Sequence, residues 1–219
     1  MMPKRKVVVF DLDDTLYKEV DYLKSAYREI SSYLETHYGL SDVYVRLFHY
    51  WKNGVNAFDT IISESHLPLR LEELIKMYRE HRPHISLEEE TRRILDLLQK
   101  ECVLGIITDG RSLTQRNKIE ALGVCAYIPE KNISISEETG YPKPSSEPFV
   151  SFMQAYPDSD YYYIGDNPSK DFVAPNQLGW NTICLLDDGR NIHHQDSVSK
   201  AYQAKYEVKS LSEVLCLIR

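Results

Sequence analysis

The stretch Val7-Val8-Val9-Phe10-Asp11-Leu12-Asp13-Asp14-Thr15 joins a run of four apolar residues to a cluster of carboxyl groups. An uninterrupted apolar run is typical of a strand that is buried on both faces of a parallel sheet. Because ligands of open parallel sheets bind beyond the carboxyl ends of the strands, we expect Asp11 and Asp13 to lie in a binding crevice.

The same junction recurs twice along the chain. The runs 103–107 and 161–164 are both apolar, and each is followed at once by polar residues. Those residues are Thr108, Asp109 and Gly110 after the first run, and Gly165, Asp166 and Asp171 after the second, with Lys143 between the two groups. Since three strand ends contribute, we expect these side chains to share one crevice.

The remaining pattern predicts an α/β fold. Helices are expected over 88–100, 112–122, 147–156, 170–178 and 211–218, and further strands over 133–135, 182–186 and 206–208. Alternation of helix and strand indicates a doubly wound, Rossmann-like parallel sheet covered on both faces. We assign residues 1–16 and 88–219 to this core.

A second region separates the first strand from the rest of the core. Apolar and aromatic residues recur there at helical spacing, first at Leu23, Tyr27, Ile30 and Leu34 and later at Leu71, Leu74, Ile75 and Tyr78. The sequence therefore predicts an inserted all-helical domain over residues 17–87.

Composition narrows the classes of function. The chain has 219 residues and a net charge of −7, which argues against a protein that binds nucleic-acid or membrane phosphates. No apolar stretch approaches the length of a membrane span or a signal peptide. The four cysteines are dispersed, so we expect reduced thiols and a cytoplasmic location. The sequence does not predict an oligomeric state.

The carboxylates indicate a bound cation. Asp11 and Asp13 face the same side of the chain and repel one another unless a cation lies between them. Asp166 can supply a further oxygen, and oxygen ligands suit Mg²⁺.

The other polar residues fit phosphoryl transfer. An aspartate such as Asp11 can attack phosphorus and form an aspartyl-phosphate. The transferred group needs donors around its oxygens, and the Thr108 hydroxyl, the backbone N–H groups of Asp109 and Gly110, and the Lys143 ammonium are suitable.

Together, these segments resemble the haloacid dehalogenase-like (HAD) hydrolase superfamily across the whole chain. The family pattern is D-x-D-x-T, then Ser or Thr after the second strand, then Lys, then G-D-x-x-x-x-D. The resemblance implies the following roles: Asp11 as nucleophile, Asp13 as general acid/base, Thr108 and Lys143 as phosphate-binding residues, and Asp11, Asp13, Asp166 and Asp171 around the metal. It also implies that the helical insertion is a cap that selects substrate.

Asp13 places the chain in the phosphatase branch of the family. Dehalogenating members typically lack this carboxylate, because halide leaves without a proton, whereas an alkoxide needs one. One residue departs from the pattern, since many relatives have Asn where this chain has Asp109. We expect Arg111 either to pair with Asp109 and bind substrate, or to lie exposed at a helix start.

The sequence thus predicts a Mg²⁺-dependent phosphatase of small phosphorylated metabolites. The helix that contains 115–122 favours sugar, sugar-acid or nucleoside phosphates over phosphoglycolate. A phosphomutase similar to β-phosphoglucomutase shares the same motifs and stays open as an alternative. So does a binding module that has lost turnover.

Overall fold

The computed structural model describes residues 4–218. Its strands are β1 (Lys6–Phe10), β2 (Cys102–Thr108), β3 (Ile133–Ile135), β4 (Asp160–Gly165), β5 (Asn181–Leu185) and β6 (Tyr206–Val208). They form one sheet in the order β3-β2-β1-β4-β5-β6, and all neighbours are parallel. The predicted doubly wound parallel sheet is confirmed.

The register of the sheet aligns the ends of its central strands. Phe10 at the end of β1 lies opposite Ile106 in β2 and Ile164 in β4. The chain proceeds from β1 to one edge of the sheet and from β4 to the other, so the switch point lies between these two strands. Asp11 and Asp166, which follow them, are therefore neighbours.

Helices cover both faces of the sheet. The core helices are α5 (Glu89–Leu98), α6 (Ser112–Leu122), α7 (Ser136–Thr139), α8 (Glu147–Ala155), α9 (Val173–Gln177) and α10 (Leu211–Leu217). Alternate residues of β1 serve the two sides: Val8 and Phe10 pack with α5, α6 and α10, while Val7 and Val9 pack with Phe149 and Trp180. Burial on both faces explains why β1 is apolar throughout.

Four helices occupy the chain between β1 and α5. They are α1 (Glu19–Tyr38), α2 (Val43–Lys52), α3 (Ala57–Glu64) and α4 (Leu71–Glu80). Their apolar faces form a separate cluster that includes Ile30, Leu34, Leu47 and Ile61. The region therefore has its own core, and its role as a cap with limits at 17 and 87 stays a prediction.

Asp14 connects this helical region to the sheet. Its φ of 54° turns the chain after β1. One carboxylate oxygen accepts the N–H of Glu19 at 2.8 Å, and the other accepts the N–H of Ile192 at 3.0 Å. Ile192 lies in the loop after β5 and packs on the apolar cluster of the four helices. Asp14 therefore ties the start of α1 to the end of β1 and to the loop after β5.

Across residues 4–218, no helix is both long enough and apolar enough to cross a lipid bilayer.

Candidate active site

A polar pocket of about 110 Å³ lies at the carboxyl ends of β1, β2 and β4. It is lined by Asp11, Asp13, Asp14, Glu19, Thr108, Asp109, Asp166, Asn167, Lys170 and His193. The structure therefore brings together residues from all three predicted strand ends, with Glu19 added from α1 and His193 from the loop after β5.

Three buried carboxyl groups form one cluster at this pocket. Oxygen atoms of Asp11, Asp166 and Asp171 all lie within 4.8 Å of one another. Burial, together with the neighbouring Asp11 and Asp171, raises the pKa of Asp166 to about 8. Burial also raises the pKa of Asp11 to about 6, although Lys143 opposes the shift. The cluster concentrates more negative charge than its protein surroundings neutralise, which is the condition that favours a cation.

Lys143 lies between two of these carboxylates. Its Nζ is 2.8 Å from an oxygen of Asp11 and 2.8 Å from an oxygen of Asp171, and its side chain is fully buried. Burial disfavours its charge, but the two carboxylates raise its pKa well above the usual value. The hydroxyl of Tyr163 lies 3.1 Å from the same nitrogen. Lys143 therefore fixes the Asp11 carboxylate beside the end of β1.

Gly165, the glycine of the G-D-x-x-x-x-D motif, is required at its position for a steric reason. A Cβ on Gly165 would lie 2.4 Å from Oδ2 of Asp171. The same Oδ2 accepts the N–H of Asn167 at 2.9 Å, so the carboxylate is held against the bare backbone. Only glycine lets Asp171 approach closely enough to reach Lys143.

Asp13 points away from the three-carboxylate cluster. Oδ1 accepts a hydrogen bond from Lys118 Nζ at 2.7 Å and one from the Tyr17 hydroxyl, and Oδ2 accepts one from Gln115 Nε2 at 3.0 Å. Burial favours the neutral acid, but the Lys118 charge and the hydrogen bonds from Lys118, Tyr17 and Gln115 together outweigh it and lower the pKa of Asp13. The sequence-based expectation that Asp13 joins the metal set is not met by its side chain, because these three donors hold its carboxylate.

Thr108 and Gly110 differ in whether their hydrogen-bond donor is available to a ligand. Thr108 is buried, and its Oγ1 accepts a hydrogen bond from Gln115 Nε2 at 2.6 Å, so its own hydroxyl proton is free for another acceptor. The N–H of Gly110 instead donates to Ser136 Oγ at 3.0 Å. Gly110 was expected to donate to a ligand, and the structure uses that donor within the protein.

Asp109 is paired, though not with the predicted partner. Its Oδ2 lies 3.4 Å from Lys170 Nζ, and its Oδ1 accepts the N–H of Lys143 at 3.0 Å. Arg111 caps the start of α6 and is exposed. It lines a separate groove between α4 and α6. The expected Asp109–Arg111 pair is therefore wrong, because Lys170 takes that position, and Arg111 lies outside the pocket as the helix-start alternative predicted.

Lys118 is a site residue that the sequence reasoning missed. Its side chain is 3% exposed, and its Nζ lies 2.7 Å from Asp13 and 3.6 Å from Glu19. It also lies 4.4 Å from the centre of the Tyr22 ring. The signal was present in the sequence: residues 115, 118, 119 and 122 have the spacing of one buried helix face, and two of them are polar.

The loop after β5 contributes more than the sequence indicated. Asn191 Nδ2 donates to Asp166 Oδ2 at 3.1 Å, and Lys18 Nζ donates to Asn191 Oδ1 at 2.8 Å. His193 of the same loop lines the pocket. The polar, irregular sequence of this loop does not predict these contacts, because they depend on how the loop folds back over the pocket.

Comparison with known proteins agrees with this geometry. The family model of haloacid dehalogenase-like hydrolases matches residues 8–185. The chain is 23% identical to a glyceraldehyde 3-phosphate phosphatase of Methanocaldococcus jannaschii, over 98% of this chain and 97% of the relative. It is 26% identical to a glyceraldehyde 3-phosphate phosphatase of Methanopyrus kandleri, over 81% of this chain and 82% of the relative.

A solved structure shares the fold. The HAD hydrolase YfnB of Bacillus subtilis, crystallised with bound magnesium, superposes with a TM-score of 0.73 at 21% identity, and the match covers 99% of each chain. The family model spans most of the chain, from β1 to the end of β5, and includes the strand ends that form the pocket. The chain therefore belongs to the haloacid dehalogenase-like hydrolase family.

Proposed function

We propose that this protein is a cytoplasmic, Mg²⁺-dependent phosphatase that hydrolyses a small phosphomonoester through an aspartyl-phosphate on Asp11. The observation that carries the proposal is the position of Asp11: its buried carboxylate ends β1, is held by Lys143 at 2.8 Å and faces Asp166 and Asp171. Phosphatase relatives that align over most of the chain support the same reaction class.

The donor set of the site fits a hard divalent ion. Asp11 and Asp166 would hold Mg²⁺ through carboxylate oxygens, the ligands that this ion prefers. Asp171 would support the site from behind, because one of its oxygens is already paired with Lys143 at 2.8 Å. When bound, Mg²⁺ shields the charge of the phosphoryl group from the attacking carboxylate.

In the first half-reaction, an oxygen of Asp11 attacks phosphorus while the bond from phosphorus to the leaving oxygen breaks. Protonated Asp13 gives its proton to that oxygen. The Thr108 hydroxyl donates to a phosphoryl oxygen, since Gln115 already occupies its acceptor side. The products are the free alcohol and the aspartyl-phosphate.

In the second half-reaction, water attacks the aspartyl-phosphate and Asp13 takes a proton from that water. The ammonium of Lys118 favours the anionic form of Asp13, which is the form this step requires. The bond between phosphorus and the Asp11 oxygen breaks, so the carboxylate and inorganic phosphate are released. Asp13 is again protonated for the next cycle.

The substrate class that we propose is a sugar, sugar-acid or nucleoside phosphate. The two relatives named glyceraldehyde 3-phosphate phosphatase favour the sugar phosphates within this class. A screen that measures both phosphate release and isomer formation from candidate sugar phosphates checks the reaction type. Isomer formation without free phosphate would instead indicate a phosphomutase.

The nucleophile is tested by Asp11→Asn, because an amide does not attack phosphorus. Hydrolysis of p-nitrophenyl phosphate should fall at least a thousandfold, or about 4 kcal/mol in the barrier. The matched control is Asp96→Asn, an exposed aspartate on α5, which should keep wild-type turnover. A variant that retains a tenth of the wild-type rate, about 1.4 kcal/mol, would exclude Asp11 as nucleophile.

The metal is tested by removal and return. EDTA should stop turnover of the wild-type protein, and excess Mg²⁺ should restore it. Direct binding of Mg²⁺, measured by calorimetry, should weaken about tenfold or more in Asp166→Asn, since one carboxylate ligand is lost. Full activity in EDTA together with no measurable Mg²⁺ binding would overturn the metal assignment.

A further inference from the structure

We propose that the pocket selects phosphomonoesters whose leaving group is uncharged and bears hydroxyl groups, and that Glu19 is the specificity-determining residue. The inference rests on the proposed phosphatase function. It narrows that function, because it excludes substrates that carry a carboxylate beside the phosphoryl group.

Glu19 is fixed at the wall of the pocket. It is the first residue of α1, and its backbone N–H donates to Asp14 Oδ1 at 2.8 Å. Its side chain keeps 21% of its surface exposed, while Lys118 lies behind it, 3.6 Å from the carboxylate. The backbone contact holds the residue in place independently of its side chain, so the carboxylate is available to a ligand.

The other carboxylates of the pocket have assigned partners. Asp11 and Asp166 belong to the nucleophile and metal cluster. Both oxygens of Asp14 accept backbone N–H groups. Asp13 accepts hydrogen bonds from three side chains. Glu19 has one side-chain partner at a distance of 3.6 Å, so its oxygens retain capacity to accept hydrogen bonds from a leaving group.

Among the described residues that line the pocket, no lysine or arginine is left unpaired for a second anionic group. Of those residues, the basic ones are Lys170 and His193. Lys170 is paired with Asp109 at 3.4 Å. The buried Lys118 and Lys143 each lie between two carboxylates.

The Glu19 carboxylate therefore attracts a hydroxyl group of a substrate and repels a carboxylate group. A hydroxyl donates a hydrogen bond to the Glu19 carboxylate, and such charge-assisted bonds are among the stronger ones. At a pH above 7, a carboxylate at the same place is repelled by the Glu19 carboxylate, whose pKa burial and the neighbouring Asp13 raise to about 7, and it finds no free ammonium or guanidinium. The site rejects the acid by charge rather than by size.

Two probes of nearly the same size test this directly. Glyceraldehyde 3-phosphate and 3-phosphoglycerate differ by an aldehyde in place of a carboxylate. We expect kcat/KM of the wild-type protein to be at least about tenfold higher for the aldehyde. In Glu19→Gln the ratio should shrink by about threefold or more, mainly through a lower KM for the acid. Glu29→Gln, an exposed glutamate on the same helix, should keep the wild-type ratio.

The possible outcomes distinguish a failure of the Glu19 proposal from a failure of the proposed phosphatase function. Equal kcat/KM for the two probes in the wild-type protein, or a ratio that Glu19→Gln leaves unchanged, would overturn the inference while phosphatase activity stands. No hydrolysis of p-nitrophenyl phosphate or either probe with Mg²⁺ would overturn the proposed function itself. If Glu19→Gln does not fold, the comparison of glycerol 3-phosphate with phosphoglycolate on the wild-type protein decides in the same way.

Discussion

Two buried lysines flank the pocket, and each lies between two carboxylates. Lys143 is equidistant from Asp11 and Asp171, at 2.8 Å from each. Lys118 is asymmetric, with its Nζ 2.7 Å from Asp13 and 3.6 Å from Glu19. We refer to the first set as the Lys143 triad and to the second as the Lys118 triad.

The difference between the triads corresponds to two sides of one reaction. The Lys143 triad is fully buried and holds the nucleophile that we propose to attack phosphorus. The carboxylates of the Lys118 triad are about one fifth exposed, at 19% for Asp13 and 21% for Glu19. We propose that they face the leaving group. On this proposal, the nucleophile side is held by two equal ion pairs, whereas the leaving-group side is anchored at Asp13 and open at Glu19.

The largest effect is expected from breaking the Lys143 triad. Lys143→Met leaves Asp11 and Asp171 buried without their cation, which favours protonation of one carboxylate and removes a charge that stabilises the transition state. We expect kcat for p-nitrophenyl phosphate to fall by about 10²–10³. Steady-state kinetics with saturating Mg²⁺ measures this change.

Lys100→Met, at an exposed lysine after α5, serves as the control for the loss of one positive charge. It should match the wild-type protein. If Lys143→Met keeps more than about a third of the wild-type kcat, the triad does not serve the nucleophile.

A smaller and more selective effect is expected from the Lys118 triad. Lys118→Met removes the cationic partner of Asp13, and well-placed proton transfer contributes about 10²–10⁴ to such reactions. Since Gln115 and Tyr17 still hold Asp13, we expect only about a 10–100-fold loss of kcat for glycerol 3-phosphate. The loss should be several-fold smaller for p-nitrophenyl phosphate, whose leaving group needs little protonation.

This pair of substrates distinguishes positioning from a structural role. A protein that is merely less well folded loses turnover of both substrates by the same factor. Equal losses in Lys118→Met would therefore remove Lys118 from the leaving-group side and leave the two triads without a functional difference.

The two triads also differ in how well the sequence predicts their lysines. Lys143 was predictable because it lies in a loop, beside a proline, among motifs that all follow strand ends. The sheet itself was predictable for a related reason: the apolar runs of β1, β2 and β4 need burial on both faces. Strand limits differed from prediction by no more than one residue, as in β2, which extends from Cys102 to Thr108.

Lys118 was not found because its helix resembles an ordinary packing helix. Ile119 and Leu122 of this helix pack in the apolar core with residues of the sheet. The polar members of the same face, Gln115 and Lys118, reach Asp13 only because α6 passes close to the end of β1. Arg111 follows the second of its two predicted alternatives: nearness to Thr108 in sequence did not bring it into the pocket, because it lies exposed where α6 begins.

The smallest predicted effect is on the pH dependence of stability, and it concerns His81, which lies next to the Lys118 triad. His81 is buried, its Nδ1–H donates to Tyr78 O at 2.8 Å, and its ring centre lies 4.6 Å from that of Tyr22. Lys118 Nζ lies near the same Tyr22 ring, at 4.4 Å. Burial lowers the pKa of His81, and the charges of Lys118 and His84 lower it further, while the bond to Tyr78 and the charge of Glu29 oppose the shift.

The sign of the pH dependence follows from that direction. An unfolded chain binds a proton at His81 as the pH falls through 6.5, whereas the folded protein resists protonation until a lower pH. The contribution of His81 to the free energy of unfolding should therefore decrease as the pH is lowered from about 7.5 to 5.5, opposite to the contributions of Asp11 and Asp166, whose pKa values are raised in the folded protein. The free energy of unfolding of His81→Gln, taken relative to that of the wild-type protein, should accordingly rise as the pH falls. Urea unfolding at several pH values measures the slope. His37→Gln is the matched control, because His37 also contacts a carbonyl and a tyrosine ring but is exposed. A slope that His81→Gln leaves unchanged would show that the Lys118 side of the pocket is not linked to stability through this histidine, and the contrast between the triads would then concern catalysis alone.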